Sequence, residues 1–270
     1  MAGQLDGKVA VITGAASGMG RQTSLLFASE GAKIVVADLD QERGAETVQL
    51  VADAGGDATF VRTNSSSEAD TEALAEAAVE QYGQIDVLVA AAGISHASYV
   101  SGEVDEVDPL IARAENMIVN APLEHWEKVL NVNLTGVMLT DRAVARRMIE
   151  ADTGGAIVNI ASGAAKVPIR GLADYCVSKA GVWMLTKVLA LELSRNGIRV
   201  NAIAPGVIDT PMTASMTADE ERRQQTIRRV PLGRLGEPSD IASTALFLAT
   251  DASSYFSGQM LHPDGGMFTG

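Results

Sequence analysis

The chain has 270 residues, 47% of them hydrophobic and only 4% aromatic, so aliphatic side chains must fill its core, and its length suits one α/β domain. Its formal charge of −13 repels phosphate polymers and argues against nucleic acid as a partner. One cysteine, Cys176, excludes an internal disulfide, and with no secretory leader pattern at the start and no apolar run near the roughly 18 residues of a bilayer span, a cytoplasmic protein is expected.

Apolar runs alternate with helical patterns along the chain. Val9–Thr13 reads as a strand and Met19–Glu30 as a helix. Lys33–Asp38, Ala58–Arg62 and Asp86–Ala91 read as further strands, separated by helices over Gln41–Ala54 and Ser67–Tyr82. A long helix over Glu124–Glu150 leads to a strand at Ala156–Ala161. Tyr175–Arg195 is again helical, Arg199–Ala204 a strand, Pro238–Thr250 a helix and Gln259–His262 a short last strand. Strand–helix alternation with short links predicts one doubly wound Rossmann-type α/β domain over residues 1–270, with a mainly seven-stranded parallel sheet. Ligands then bind at the carboxyl ends of the strands.

The first strand runs directly into Gly14-Ala15-Ala16-Ser17-Gly18-Met19-Gly20. Glycines there allow a tight turn and a close backbone approach to phosphate, and the N–H groups of the following helix face a pyrophosphate. Asp38 closes the second strand, where a carboxylate accepts hydrogen bonds from the adenosine ribose and repels a 2′-phosphate. Leu39 follows it, and the glycine turn holds no Arg or Lys. The cofactor expected is therefore NAD rather than NADP.

Tyr175 and Lys179 stand at i and i+4, on one face of a helix. Ser162 ends the fifth strand 13 residues earlier, near enough for the chain to fold back on itself. Singly, each residue has a plainer reading: Ser162 a strand-end hydroxyl, Tyr175 a half-buried ring, Lys179 a solvated helix residue. Taken in order, the glycine turn, Asn131-Val132-Asn133, Ser162, Tyr175-x-x-x-Lys179 and Pro205-Gly206 resemble the short-chain dehydrogenase/reductase family over essentially the whole chain.

That resemblance implies an oxidoreductase moving hydride between NAD(H) and a secondary alcohol or ketone. Tyr175 is then the acid/base, helped by the Lys179 ammonium, with Ser162 holding the substrate oxygen. Asn133 would sit in a helix interruption and help hold a water of the proton relay. A free tyrosine has a pKa of about 10, and nearby positive charge favours its phenolate. The resemblance further places Asn64 and Ser65 beside the adenine. It lines the nicotinamide with Pro205, Gly206, Ile208 (through its backbone) and Thr210. It also implies a homo-oligomer, with a tetramer the common form. A 3-oxoacyl-carrier-protein reductase and a non-catalytic NAD-binding module are the competing readings. Asp38 and the charge of −13 weigh against the first, and the complete Asn133, Ser162, Tyr175 and Lys179 set weighs against the second.

The chain departs from the family pattern in two places. After the fourth strand it carries Ala90-Ala91-Ala92-Gly93, where the family has two asparagines. Side-chain contacts there are lost, while the backbone of Ala91, Ala92 and Gly93 can still meet the cofactor. The span from Gly93 to Trp126 is also roughly fifteen residues longer than the family pattern, and the extra length falls in Ile94–Leu123, with a helix-like piece at Leu110–Val119; a long loop in a compact domain is commonly functional. It could form one wall of the substrate pocket, or else an exposed insertion or oligomer contact. Thr210–Val230 corresponds to the family's substrate lid. Its methionines, Met212 and Met216, suit an apolar lining, and its arginines fit a solvated helix face better than an anion site. His96, His125 and His262 have no metal-ligand spacing, and no metal is expected.

Overall fold

Seven parallel strands join in one sheet in the order β3-β2-β1-β4-β5-β6-β7. The structure is a computed structural model and describes residues 3–100, 102–104 and 117–269. The strands are β1 (Val9–Thr13), β2 (Lys33–Asp38), β3 (Asp57–Arg62), β4 (Val87–Ala90), β5 (Gly155–Ile160), β6 (Ile198–Ile203) and β7 (Met260–Leu261). The helices between them are α1 (Gly18–Ser29), α2 (Gln41–Asp53), α3 (Glu68–Tyr82), α4 (Leu123–Leu130), α5 (Gly136–Ala151), α6 (Ala173–Leu193), α7 (Glu220–Ile227) and α8 (Pro238–Ala249). The doubly wound α/β arrangement expected from the alternation is the one observed.

Alternate strand residues divide the core between the two faces of the sheet. Ala10, Ile12, Ile34 and Val36 pack with Phe27 of α1 and Ile241 of α8. Val11 and Val35 point the other way, onto Leu74 of α3, Val144 and Met148 of α5 and Leu193 of α6. Burial on both faces is why the strands read as unbroken apolar runs. Order reverses between β2-β1 and β4-β5, so the carboxyl ends of β1 and β4 open a crevice where the chain leaves in opposite directions.

Three differences from the sequence reading have physical causes. The long helix is broken: α4 gives way to a π-helical turn over Asn131–Thr135 before α5 begins. Its apolar period is continuous, so the wider turn is invisible to pattern; such turns gather at functional sites. Within the lid a 3₁₀ turn at Pro211–Met216 and the short polar α7 appear, held by end caps such as Asp219 on the Arg222 amide rather than by an apolar stripe. The last strand shrinks to two residues because it pairs only with the end of β6. Most of the helix-like piece expected at Leu110–Val119 lies outside the described residues; residues 117–120 form a turn.

One buried polar group is unusual. Asp141 of α5 is fully buried and accepts one hydrogen bond, from Asn159 Nδ2 on β5 at 3.0 Å. The same amide donates to Thr186 Oγ1 of α6. Asp141 Oδ1 and Asn159 Oδ1 are left without a donor. Burial pushes the Asp141 carboxyl up to about 8, against the smaller effect of the Asn159 hydrogen bond. A neutral carboxylic acid supplies the missing proton between these groups. Because the folded pKa lies above the unfolded one, the contribution of Asp141 to stability is complete below about pH 4 and is lost as pH rises through about 8, with a slope of at most about 1.4 kcal/mol per pH unit. Asp141→Asn, which places an amide where the neutral acid stands, is expected to flatten the fall of Tm across that window and to raise Tm at its alkaline end; an unchanged slope in a thermal melt series would refute the neutral-acid assignment.

Candidate active site

The site starts where β1 and β4 end. Gly14 has φ +67°, and a Cβ there would lie 2.8 Å from the Ala91 carbonyl oxygen and from the Ala92 amide nitrogen. Only glycine allows that conformation together with that approach. A Cβ on Gly20 would fall 2.2 Å from the Gly14 oxygen, so the turn closes directly onto α1. Ser17 precedes α1 without a side-chain capping bond, which leaves the first-turn amides of Gly18, Met19 and Gly20 for an anion. The alanines that replace the family's asparagines cause no break. Ala92 donates its N–H to Thr13 Oγ1 at 3.2 Å, and Ala91 and Gly93 border the same cleft as Gly14 and Ser17.

Asp38 is buried at the adenosine side of this cleft. Its Oδ2 accepts from the Ala16 amide at 3.0 Å and its Oδ1 from the Asp40 amide at 3.1 Å. Burial raises its pKa and these backbone bonds oppose the rise. The carboxylate therefore braces the glycine turn as well as facing the cleft region. Leu39 beside it is half exposed. Thr63 donates its amide to the Asp38 carbonyl, which brings Asn64 and Ser65 to the same edge. The Asn64 side chain accepts from the Ser66 amide, and Ser65 packs under Gly136 of α5.

The chemical residues converge at the end of β5. Ser162 caps a 3₁₀ turn, accepting from the Ala164 amide at 3.1 Å. Its hydroxyl lies near enough to the Tyr175 phenol to hold the phenol's pKa down. Lys179, one helical turn on, donates from Nζ to the Ile160 carbonyl at 2.9 Å and lies 5.9 Å from the Tyr175 ring centroid. Burial alone pushes Lys179 down to about 8, so it is still mainly an ammonium at neutral pH. Burial pushes Tyr175 up, and the Ser162 hydroxyl opposes it. A Cβ on Gly93 would lie 3.2 Å from Asn133 Oδ1 and 3.5 Å from Lys179 Nζ, so a bare backbone is required where the two halves of the site meet.

Asn133 lies fully buried in the π-helical turn, as the interruption required. Its side chain joins two segments of the site: Oδ1 accepts from the Ile94 amide at 2.8 Å, and Nδ2 donates to the Ile94 carbonyl at 2.9 Å and to Ser178 Oγ at 3.2 Å. Ser178 and Thr13 were not singled out in the sequence, although each adjoins a marked residue. Gly206 packs on Asp264 and the Ile208 side chain enters the core, so only backbone from Pro205–Ile208 can reach the cleft. Thr210 does reach it, with its Cγ2 3.5 Å from a Cβ position on Gly18.

The remaining candidates fall outside this centre. Arg223 pairs with Asp209 and Arg222 with Asp219, while Arg228 and Arg229 are exposed, as a solvated helix face requires. His96 meets Ser98 Oγ, and His262 packs on the Phe268 ring. Among the described residues no cluster could hold a metal ion and no helix is long and apolar enough to cross a membrane. The described ends of the insertion part company. Tyr99 and Gly102 lie over the glycine turn, whereas Met117 Sδ meets Arg170 Nη2 at 3.6 Å, on the loop leading to Tyr175.

A doubly wound sheet with a glycine turn at its switch point and a serine–tyrosine–lysine group at the end of β5, its lysine buried, defines a dinucleotide-dependent oxidoreductase fold. Residues 14–268 match a family model described as Enoyl-(Acyl carrier protein) reductase. The chain is 40% identical over 264 residues to 3beta-hydroxysteroid dehydrogenase 1 of Eggerthella lenta, covering 97% of this chain and 94% of that one. It is also 40% identical over 264 residues to the 3-oxoacyl-[acyl-carrier-protein] reductase FabG of Thermotoga maritima, covering 98% and 99%. A solved short-chain type dehydrogenase/reductase from Mycobacterium marinum superposes with a TM-score of 0.86 at 31% identity, over 98% of this chain and 97% of that one. The chain belongs to the short-chain dehydrogenase/reductase family. It is an oxidoreductase acting on CH–OH groups of a small-molecule substrate, and the family works with nicotinamide cofactors.

Proposed function

We propose that this enzyme uses NAD(H) to interconvert a secondary alcohol and a ketone, with Tyr175 as acid/base. The observation that carries the reading is the convergence of half-buried Ser162 and Tyr175 with buried Lys179 beside the backbone of Gly93. The nicotinamide ring, when bound, takes or gives the hydride. In the oxidative direction the Tyr175 oxygen receives the substrate hydroxyl proton, and Ser162 donates a hydrogen bond that steadies the substrate oxygen. The Lys179 ammonium lowers the cost of the phenolate and holds the nicotinamide ribose. Its anchor on the Ile160 carbonyl fixes it at the end of β5. Asn133 acts as a positioning residue, since its side chain fixes the backbone of Ile94 next to Gly93. The segment 210–230 serves as the substrate lid.

Preference for NAD over NADP follows from charge. A 2′-phosphate would meet Asp38, and the guanidinium groups on the neighbouring helices are engaged: Arg21 bonds the Ala16 carbonyl, Thr47 and Glu46, and Arg43 pairs with Asp40. The matches to carrier-protein reductases favour one second reading, reduction of a 3-oxoacyl thioester. The charge of −13 opposes docking of an acidic carrier. A homotetramer is supported by α6, which exposes Val177, Met184, Val188 and Leu191, the last at 81%. Their spacing of three, four or seven residues lines one face of that helix. A cytoplasmic location suits the free thiol of Cys176.

Three measurements check these statements. In steady-state assays on a panel of cyclic and acyclic alcohols, ketones and a 3-oxoacyl thioester, kcat/KM is expected to favour NAD over NADP; a clear NADP preference would overturn the role of Asp38. Tyr175→Phe should lower kcat by about 10²–10⁴-fold while NADH still binds, and a mild loss would assign the proton transfer elsewhere. Leu191→Glu should reduce the oligomer seen by light scattering, and an unchanged mass would remove α6 from the interface.

A further inference from the structure

The amino-terminal part of the insertion takes a fixed course. Asn133 clamps Ile94 at both its amide and its carbonyl. Ile94, Ala97 and Tyr99 then pack with Val129 of α4 and against Val132 and Met212. Tyr99 is only 7% exposed, and its ring borders the cleft lined by Gly14, Ser17, Gly18 and Gly93. Its hydroxyl accepts from the Gly102 amide at 3.3 Å. At Gly102, a Cβ would stand 3.3 Å from Ser17 Oγ and 2.5 Å from Arg43 Nη1. The chain thus passes from the end of β4 across the phosphate-facing turn to the first turn of α2, on the adenosine side. Of the insertion's two described ends, this one reaches the glycine turn and Arg43, whereas the Met117 end meets Arg170.

We propose that Tyr99 and Gly102 form the outer wall of the dinucleotide site, so that the first part of the insertion clamps the cofactor while only its far end faces the substrate. The inference rests on the reading of the cleft as a nicotinamide-dinucleotide site. With the glycine turn on one side and Tyr99 on the other, the pyrophosphate and its riboses are enclosed. Dissociation of the dinucleotide then requires this segment to lift away. A buried aromatic ring contributes a large contact area to such a wall. A substitution that removes it acts on cofactor release before it acts on the alcohol.

The test combines NADH fluorescence titration, stopped-flow displacement of NADH by excess NAD, and steady-state kinetics with whichever alcohol the enzyme oxidises. For Tyr99→Leu, the NADH release rate and Kd are expected to rise together by about tenfold, a change of about 1.4 kcal/mol, with the alcohol KM nearly unchanged. Hydrogen exchange on the unmodified enzyme gives an independent reading: the amides of Ala97, Tyr99 and Gly102 should gain protection when NADH is added. A folded variant with unchanged NADH release, or a defect confined to the alcohol KM, overturns the clamp. If the variant does not fold, absence of added protection in the unmodified enzyme overturns it instead. Failure of the unmodified enzyme to bind NADH at all refutes the dinucleotide reading, and the clamp with it.

Discussion

The close contact between the ends of β1 and β4 is the constraint on which the site depends. Gly14 meets the Ala91–Ala92 peptide closely enough that a Cβ would stand 2.8 Å from it, and Gly20 closes on Gly14 within 2.2 Å by the same measure. These contacts aim the start of α1 at the switch point of the sheet and bring Gly93 within reach of the β5 residues. The sheet supplies the rigidity. The strands β1, β2, β4, β5 and β6 are largely buried on both faces, and the helices of the two layers hold their separation through interlocked aliphatic side chains.

The two halves of the site are coupled by polar groups rather than by apolar packing. Asp38 ties the end of β2 to the glycine turn through the Ala16 amide. Asn133 ties the π-helical turn to the backbone after β4, and Ser178 links it onward to the helix that carries Tyr175 and Lys179. A buried polar network of this kind has a single low-energy arrangement, because every unpaired member would bear its desolvation cost. Burial also works against the chemistry. It raises the phenol of Tyr175 and lowers the ammonium of Lys179, so the pair needs added positive charge before the phenolate becomes cheap.

Much of the fold was legible in order and type. Every expected strand formed, because aliphatic runs bounded by turn residues have few other ways to bury themselves. The helix starts and stops were within a few residues. The elements that escaped notice carry little pattern. The π-helical turn leaves the apolar period unbroken, and α7 is polar on almost every side. The candidate site was legible where residue type is itself the constraint, as with Gly14, Asp38, Tyr175 and Lys179. Ser178, Thr13 and Tyr99 were not, because a serine, a threonine and a tyrosine have many uses and only their neighbours distinguish them.

By itself, then, the sequence determined the alternation of elements, the glycine turn after the first strand and the i, i+4 placing of Tyr175 and Lys179 on one helix face. Short-range chemistry settles those: backbone freedom at glycine, two side chains four positions apart on a helix. The tertiary structure alone decided which groups are spent on holding others. It set the Asn133 side chain to clamp the Ile94 backbone, left Asp141 buried with an oxygen no donor reaches, and brought one described end of the insertion to the glycine turn and the other to Arg170. Those outcomes depend on which surfaces meet across long stretches of chain, and no local pattern records that.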